Sequence, residues 1–158
     1  MSIEDNKAIV RRYFEDAPFN PSACDEIFAA KIHWHALYHT ANPDFDSTPQ
    51  LEKEAYDRHK KVWGNWIENI NLIIAEGDRV MVHWTGHGIQ QSEYSGIPAT
   101  NRPVAFSGVT IFCIEGNKIV EVWNLWDQIG ELQQLGILPE TKEIIAKARE
   151  TILSGRNE

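Results

Sequence analysis

The sequence predicts a single α+β domain in which helices pack on one face of a curved, mostly antiparallel sheet. Three observations carry this reading. Apolar residues recur at helical spacing in the first part of the chain, whereas the second half holds two pairs of strand-like runs, each joined by a tight glycine turn. No repeat, low-complexity tract or linker separates the two parts. A chain of 158 residues, 42% of them apolar or aromatic, can bury a core of its own. One unit over residues 1–158 is therefore expected, with a C-terminal helix over 140–153.

The elements follow in order. Residues 2–16 read as an amphipathic helix: Ser2 precedes Glu4 and Asp5, as at an N-terminus, and Ile3, Ala8, Ile9, Tyr13 and Phe14 fall near one face. Ala17-Pro18 ends it. Pro21 opens a second helix to about Ala30 that buries Cys24, Ile27 and Phe28. KIHWHAL alternates as a strand, and His39 to Gln50 is a loop rich in Pro, Asp, Asn and Thr. Ser47, Thr48 and Pro49 start a third helix to about Trp63, with Tyr56, His59, Lys60 and Trp63 on one stripe and Gly64-Asn65 as its stop. IENINLIIAEGDRVMVHWTGHGI is a hairpin about Gly77-Asp78, and VAFSGVTIFCIEGNKIVEVWNLWD is another about Gly116-Asn117. QQSEYSGIPATNR connects them. A final helical stretch, from Gln128 to Leu153, is interrupted at Gly136 to Pro139.

Charge and cysteine usage narrow the function classes. The net charge of -8, with basic residues scattered, argues against a nucleic-acid or anionic-membrane partner. Cys24 and Cys113 sit far apart in apolar stretches and read as buried free thiols, which suits a reducing compartment. The acidic N-terminus and the lack of a long apolar run lead us to expect a cytoplasmic protein. Six Trp and six His are many for this length, and they suggest either a heavy core or the wall of a ligand cavity.

His33 and His35 share a strand face, as do His83 and His87, the latter pair facing outward. No glutamate is spaced to complete a His/His/carboxylate set, and Cys-x-x-Cys and His-Glu-x-x-His are absent, so no metal is expected. No Gly-x-Ser-x-Gly elbow or phosphate-binding glycine loop occurs either. Acid/base chemistry remains. In EVWNLWDQIG, Asp127 stands beside tryptophans, where lost solvation would raise a carboxyl's pKa toward a useful base; equally, it can cap the helix that starts at Gln128. Strand alternation puts Glu121, Trp123, Leu125 and Asp127 on one side and Val122, Asn124 and Trp126 on the other, so both sides are covered.

GDRVMVHWTGHG, SGIPATNRPVAFSGVTIF and GNKIVEVWNLWDQIGELQQLG, in this order and spacing, resemble the SnoaL-like polyketide cyclase (ester cyclase) family of the nuclear-transport-factor-2-like superfamily. The resemblance spans about residues 5–138. Its most specific stretch holds Lys118, Ile119, Glu121, Trp123, Asp127, Gly130, Gln134, Leu135 and Gly136. It implies a cone-shaped α+β barrel with a curved sheet wrapped around N-terminal helices and a deep apolar pocket. It also implies a homodimer or homotetramer paired through the outer sheet face, and a ring closure by intramolecular aldol condensation with no cofactor or metal. The position that matches the family's acid/base aspartate is Asp127. The chain departs from the family at Ile89-Gln90, Ala99-Thr100-Asn101 and Trp63-Gly64-Asn65, which bear on substrate choice.

The expected activity is thus acid/base catalysis on an apolar, carbonyl-containing, polyketide-like small molecule. Asp127 takes the proton, and His35, Gln90 and His59 hydrogen-bond the enolate oxygen. Trp34, Tyr38, His59, Trp63, Trp66, Trp84, Tyr94, Phe106 and Trp123 are the substrate-binding candidates. Two other functions fit the same scaffold. An epoxide hydrolase or isomerase needs a second buried acid, for which Glu121 is the obvious candidate on the strand. A non-catalytic hydrophobic-ligand-binding domain needs Asp127 tied to a backbone N–H and no polar cluster in the cavity.

Overall fold

A computed structural model describes residues 2–35 and 44–154. Helix α1 (Ile3–Glu15) and the short α2 (Ala23–Ile27) lead into β1 (Phe28–His35), and β2 (Phe45–Ser47) precedes α3 (Pro49–Val62). Four long strands follow: β3 (Trp63–Glu76), β4 (Arg79–Gln90), β5 (Pro103–Glu115) and β6 (Lys118–Trp126). Helices α4 (Gln128–Gln134) and α5 (Thr141–Ser154) close the chain. The six strands form one open sheet in the order β2-β1-β6-β5-β4-β3, antiparallel throughout except where β1 runs parallel to β6. It curves into a cone around the helices, as expected of this α+β class.

Local chemistry explains the boundaries. Ser2 and Asp5 form a reciprocal capping box on α1, and Thr48 accepts from the Leu51 N–H ahead of Pro49 on α3. In the β5–β6 turn, Gly116 and Asn117 take φ of 55° and 65°, the left-handed pair that a two-residue hairpin turn favours. Inward residues alternate along each long strand. Val80, Val82 and Trp84 of β4, Phe112 of β5 and Val122 of β6 meet Val10 and Phe14 of α1 in the main core, which also buries Cys24, a free thiol. Cys113 is likewise free and buried.

Four expectations change. The buried stripe of α1 runs through Asn6, Val10 and Phe14, leaving Ile3 exposed, because Asn6 Nδ2 donates to the Gly77 carbonyl at 3.0 Å and turns the helix toward the β3–β4 turn. The second helix ends at Ile27, since Phe28 pairs with Ile119 and continues as strand. Part of the expected loop forms β2, which pairs with the edge of β1. The third helix ends at Val62, close to where it was expected, but β3 begins at once at Trp63, so Gly64-Asn65 lies inside the strand, where Asn65 adopts φ 51° at a register shift. Among the described residues no helix is long and apolar enough to cross a membrane.

Candidate active site

The concave face of the sheet and helices α1 and α3 enclose a cavity of about 280 Å³, near the lower end of ligand-pocket sizes. Its aromatic wall is built by the inward register of β3, β4 and β5. Trp63 and Trp66 (ring centroids 5.8 Å apart) meet Phe106 at 6.3 and 5.2 Å, and Tyr94 lies 5.3 Å from Trp63. Trp84 closes against Phe106 at 6.1 Å. Two glycines make this possible. A Cβ on Gly86 would collide with the Trp66 indole, and one on Gly108 with the Trp84 indole and with the Leu125 carbonyl oxygen 2.7 Å away. Both indoles lie across bare backbone.

Polar groups converge in the same cavity. From α3 come Glu52 and His59, from β3 Glu68, from β6 Asn124, and from α4 Glu131. Burial pushes the Glu68 carboxyl from 4.5 to about 7; the nearby Trp66 N–H tempers the shift without finding an acceptor at hydrogen-bond geometry. Burial pulls His59 down from 6.5 to about 4, so its imidazole is neutral at pH 7. Glu52 and Glu131 are also raised by burial, tempered by Ser47 and Trp34 for the first and by Trp126 and Tyr94 for the second. Glu52 Oε1 accepts from Trp34 Nε1 at 2.9 Å, and Glu131 Oε2 from Trp126 Nε1 at 2.8 Å, while the buried Glu131 Oε1 has no partner. A chain of hydrogen bonds crosses the floor: Trp84 Nε1 donates to Thr110 Oγ1, which donates to Asn124 Oδ1, each at 2.9 Å.

The sequence-derived binding set is largely assembled here: His59, Trp63, Trp66, Trp84, Tyr94 and Phe106 all line the cavity. Trp34 backs it from behind Glu52, and Tyr38 lies outside the described residues. Trp123 is placed on the opposite, convex face, in a shallow groove with Arg79 and Ile111. It is therefore not a substrate-binding residue of this cavity: strand alternation turns it away from Asn124 and Trp126, which are the β6 side chains that line it. His83 and His87 face outward as expected.

None of Asp127, His35 and Gln90 lines the cavity. Asp127 is exposed and its Oδ1 accepts from the Gly130 N–H at 2.8 Å, which is the helix-capping role. His35 sits on the convex face, stacked 4.1 Å from Trp123 and bonded through Nε2 to Glu121 at 2.6 Å. Gln90 is fully buried, and its amide is consumed by the 92–100 connection: Nε2 donates to three carbonyls, and Oε1 accepts from the Thr100 N–H and hydroxyl at 2.9 and 2.6 Å. Glu52, Glu68, Asn124 and Glu131 escaped the sequence analysis. Each occupies an inward position within an apolar pattern, and that was the signal available for them. Among the described residues, ligand atoms of His33, His35 and Asp44 lie within 4.8 Å of one another, also on the convex side.

Comparison with known proteins agrees with this architecture. The model of the SnoaL-like polyketide cyclase family matches residues 8–135. A SnoaL-like polyketide cyclase-type protein from Jannaschia sp. CCS1 superposes with a TM-score of 0.75 at 17% identity, over 88% of this chain and 97% of that one. IdmH from Streptomyces antibioticus, assigned as a polyketide cyclase, gives 0.69 at 20% identity over 83% and 98%. AclR from Streptomyces galilaeus, assigned as a hydroxylase, gives 0.72 at 19% over 99% and 96%. No curated protein matches at the sequence level. With the family model covering most of its length and the fold shared from end to end, the chain belongs to the SnoaL-like polyketide cyclase family.

Proposed function

We propose that this protein is a cofactor-independent acid/base catalyst that closes a ring in an apolar, polyketide-like substrate by intramolecular aldol condensation. The observation that carries the reading is the meeting of an aromatic mould with a carboxyl, Glu68, whose burial holds it near neutrality. A base of that strength takes a proton from a carbon flanked by carbonyls. The enolate carbon attacks a second carbonyl of the same chain, and the resulting alkoxide recovers the proton from Glu68, so that one C–H and one C=O become C–C and O–H. Neutral His59 and the Asn124 amide are suited to stabilise oxygen charge in the transition state. Asp127, to which the resemblance gives the proton, is instead a cap, and the roles assigned to His35 and Gln90 pass to these cavity groups.

A positioned base is typically worth about 10²–10⁴-fold. Glu68→Gln should therefore lower turnover of a polyketide-like β-dicarbonyl substrate by that factor, whereas Asp127→Asn should retain it. The opposite pattern would return the role to Asp127. A second reading, hydrolysis or isomerisation, has support in Glu52 and Glu131, which give the cavity the additional buried acids that reaction needs. Glu121 does not serve it, being held by His35 on the convex side. Product analysis on epoxide and aldol substrates separates the two chemistries. The non-catalytic reading keeps one of its two signatures, a capped Asp127, but five polar side chains converge in the cavity. We further propose a homodimer through the convex face, where Ile67, Leu72, Ile74 and Leu125 are each about half exposed.

A further inference from the structure

We infer that His33, His35 and Asp44 form a binding site for a divalent transition-metal ion of the zinc class, on the convex edge of the sheet and apart from the cavity. Spacing along the chain gave no carboxylate to join the two histidines. Strand pairing supplies one. β2 runs antiparallel to β1 with His33 opposite Asp46 and Trp34 opposite Phe45, which brings Asp44 beside His35.

The atoms are arranged as ligation requires. Asp46 Oδ1 accepts from His33 Nδ1 at 2.9 Å, and Glu121 Oε2 accepts from His35 Nε2 at 2.6 Å. In the tautomers that donate to these carboxylates, the lone pair falls on His33 Nε2 and on His35 Nδ1. Those are the two nitrogens that face Asp44 Oδ2, at 3.5 and 3.8 Å. Metal-bound histidines characteristically donate their second N–H to a carboxylate in this way. Tetrahedral zinc with bonds near 2.0–2.1 Å holds its ligands about 3.4 Å apart, and the three ligand atoms here lie within 4.8 Å of one another, within reach of side-chain adjustment around an ion. Stacking on Trp123 holds the His35 ring in place, with Arg79 5.2 Å from that indole.

Charge favours a cation. Asp44, Asp46 and Glu121 bring three negative charges. Lys31 meets Asp46 at 2.8 Å and Arg79 approaches Glu121 at 3.9 Å. Both histidines and Asp44 keep partial exposure, 39%, 24% and 52% of their side chains, so an ion has access and a water can complete the shell. Imidazole donors select zinc, cobalt or nickel over magnesium or calcium.

The test uses untagged protein stripped with a chelator, then titrated with Zn²⁺ by calorimetry and with Co²⁺ by visible absorption. One ion per chain is expected, with a tetrahedral Co²⁺ spectrum and no competition from excess Mg²⁺. Asp46→Asn, which removes only a supporting carboxylate, should weaken Zn²⁺ binding about 10–100-fold, and the His33→Gln/Asp44→Asn double variant by more. Circular dichroism establishes that the variants fold, and the Zn²⁺-induced rise in Tm should vanish in the double variant. Absence of saturable binding, equal competition by Mg²⁺, or unchanged affinity in the folded double variant would each overturn the assignment.

Discussion

Replacing Glu68 by Gln tests the site through its energetics, without any substrate. Burial moves the carboxyl from 4.5 to about 7, a gap of some 2.5 pH units in favour of the protonated form. At about 1.4 kcal/mol per unit, this amounts to roughly 3 kcal/mol at most. The sign follows from proton binding. Below pH 4.5 Glu68 is neutral in both folded and unfolded chains and costs nothing. As pH rises through 4.5 the unfolded chain releases its proton while the folded one holds it, and stability falls until the folded group also ionises near 7. Above that the whole cost is present. Gln carries no charge at any pH, so Glu68→Gln should match the wild type at pH 4 and exceed it at pH 8. For a chain of this size 1 kcal/mol corresponds to about 2–4 °C in Tm, so the gap at pH 8 should reach at most roughly 6–12 °C. Thermal melts of both proteins across pH 4–8 measure it directly. A gap that is constant with pH, or absent at pH 8, would refute the claim that Glu68 is held near neutrality by burial.

Three further outcomes are expected. Asp127→Ala should lose about 0.5–2 kcal/mol in denaturant titration because the Gly130 N–H loses its acceptor, whereas Asp127→Asn, an equally good cap, should stay within a few tenths. Gly108→Ala forces a Cβ against the Trp84 indole and the Leu125 carbonyl oxygen, and should cost about 1–3 kcal/mol with a matching drop in Tm; an unchanged melt would mean the indole has room to move. Ile74→Asp, at a position 48% exposed on the convex face, should convert a dimer to a folded monomer in size-exclusion chromatography with light scattering. A monomeric wild type would remove that interface.

Much of the architecture was legible in the chain because it is written in short-range chemistry. Gly77-Asp78 and Gly116-Asn117 marked both hairpins, Ser2 and Thr48-Pro49 marked helix starts, and the break at Gly136 to Pro139 separated α4 from α5 as observed. Period-two alternation separated Trp123 from Asn124 and Trp126 on β6, but it did not say which face is concave, and Trp123, expected in the binding set, lies outward. The short strand β2 was not legible, since three residues in a polar loop show no period and depend on the edge of β1 for their pairing.

The cluster of aromatic residues in sequence pointed to a cavity, and six of the expected lining residues meet there, because strand parity is a local property that survives folding. The cavity's acids were decided by tertiary structure alone. Glu52, Glu68 and Glu131 come from α3, β3 and α4, and nothing along the chain says that an inward glutamate on each will share one desolvated space and be raised in pKa by it. The same is true of the histidines. His33 and His35 shared a face by spacing, but Asp44, Asp46 and Glu121 reach them only through pairing with β2 and β6. Sequence determined which residues face which side of each strand. Only the register between strands, a long-range outcome, decided which charges stand together.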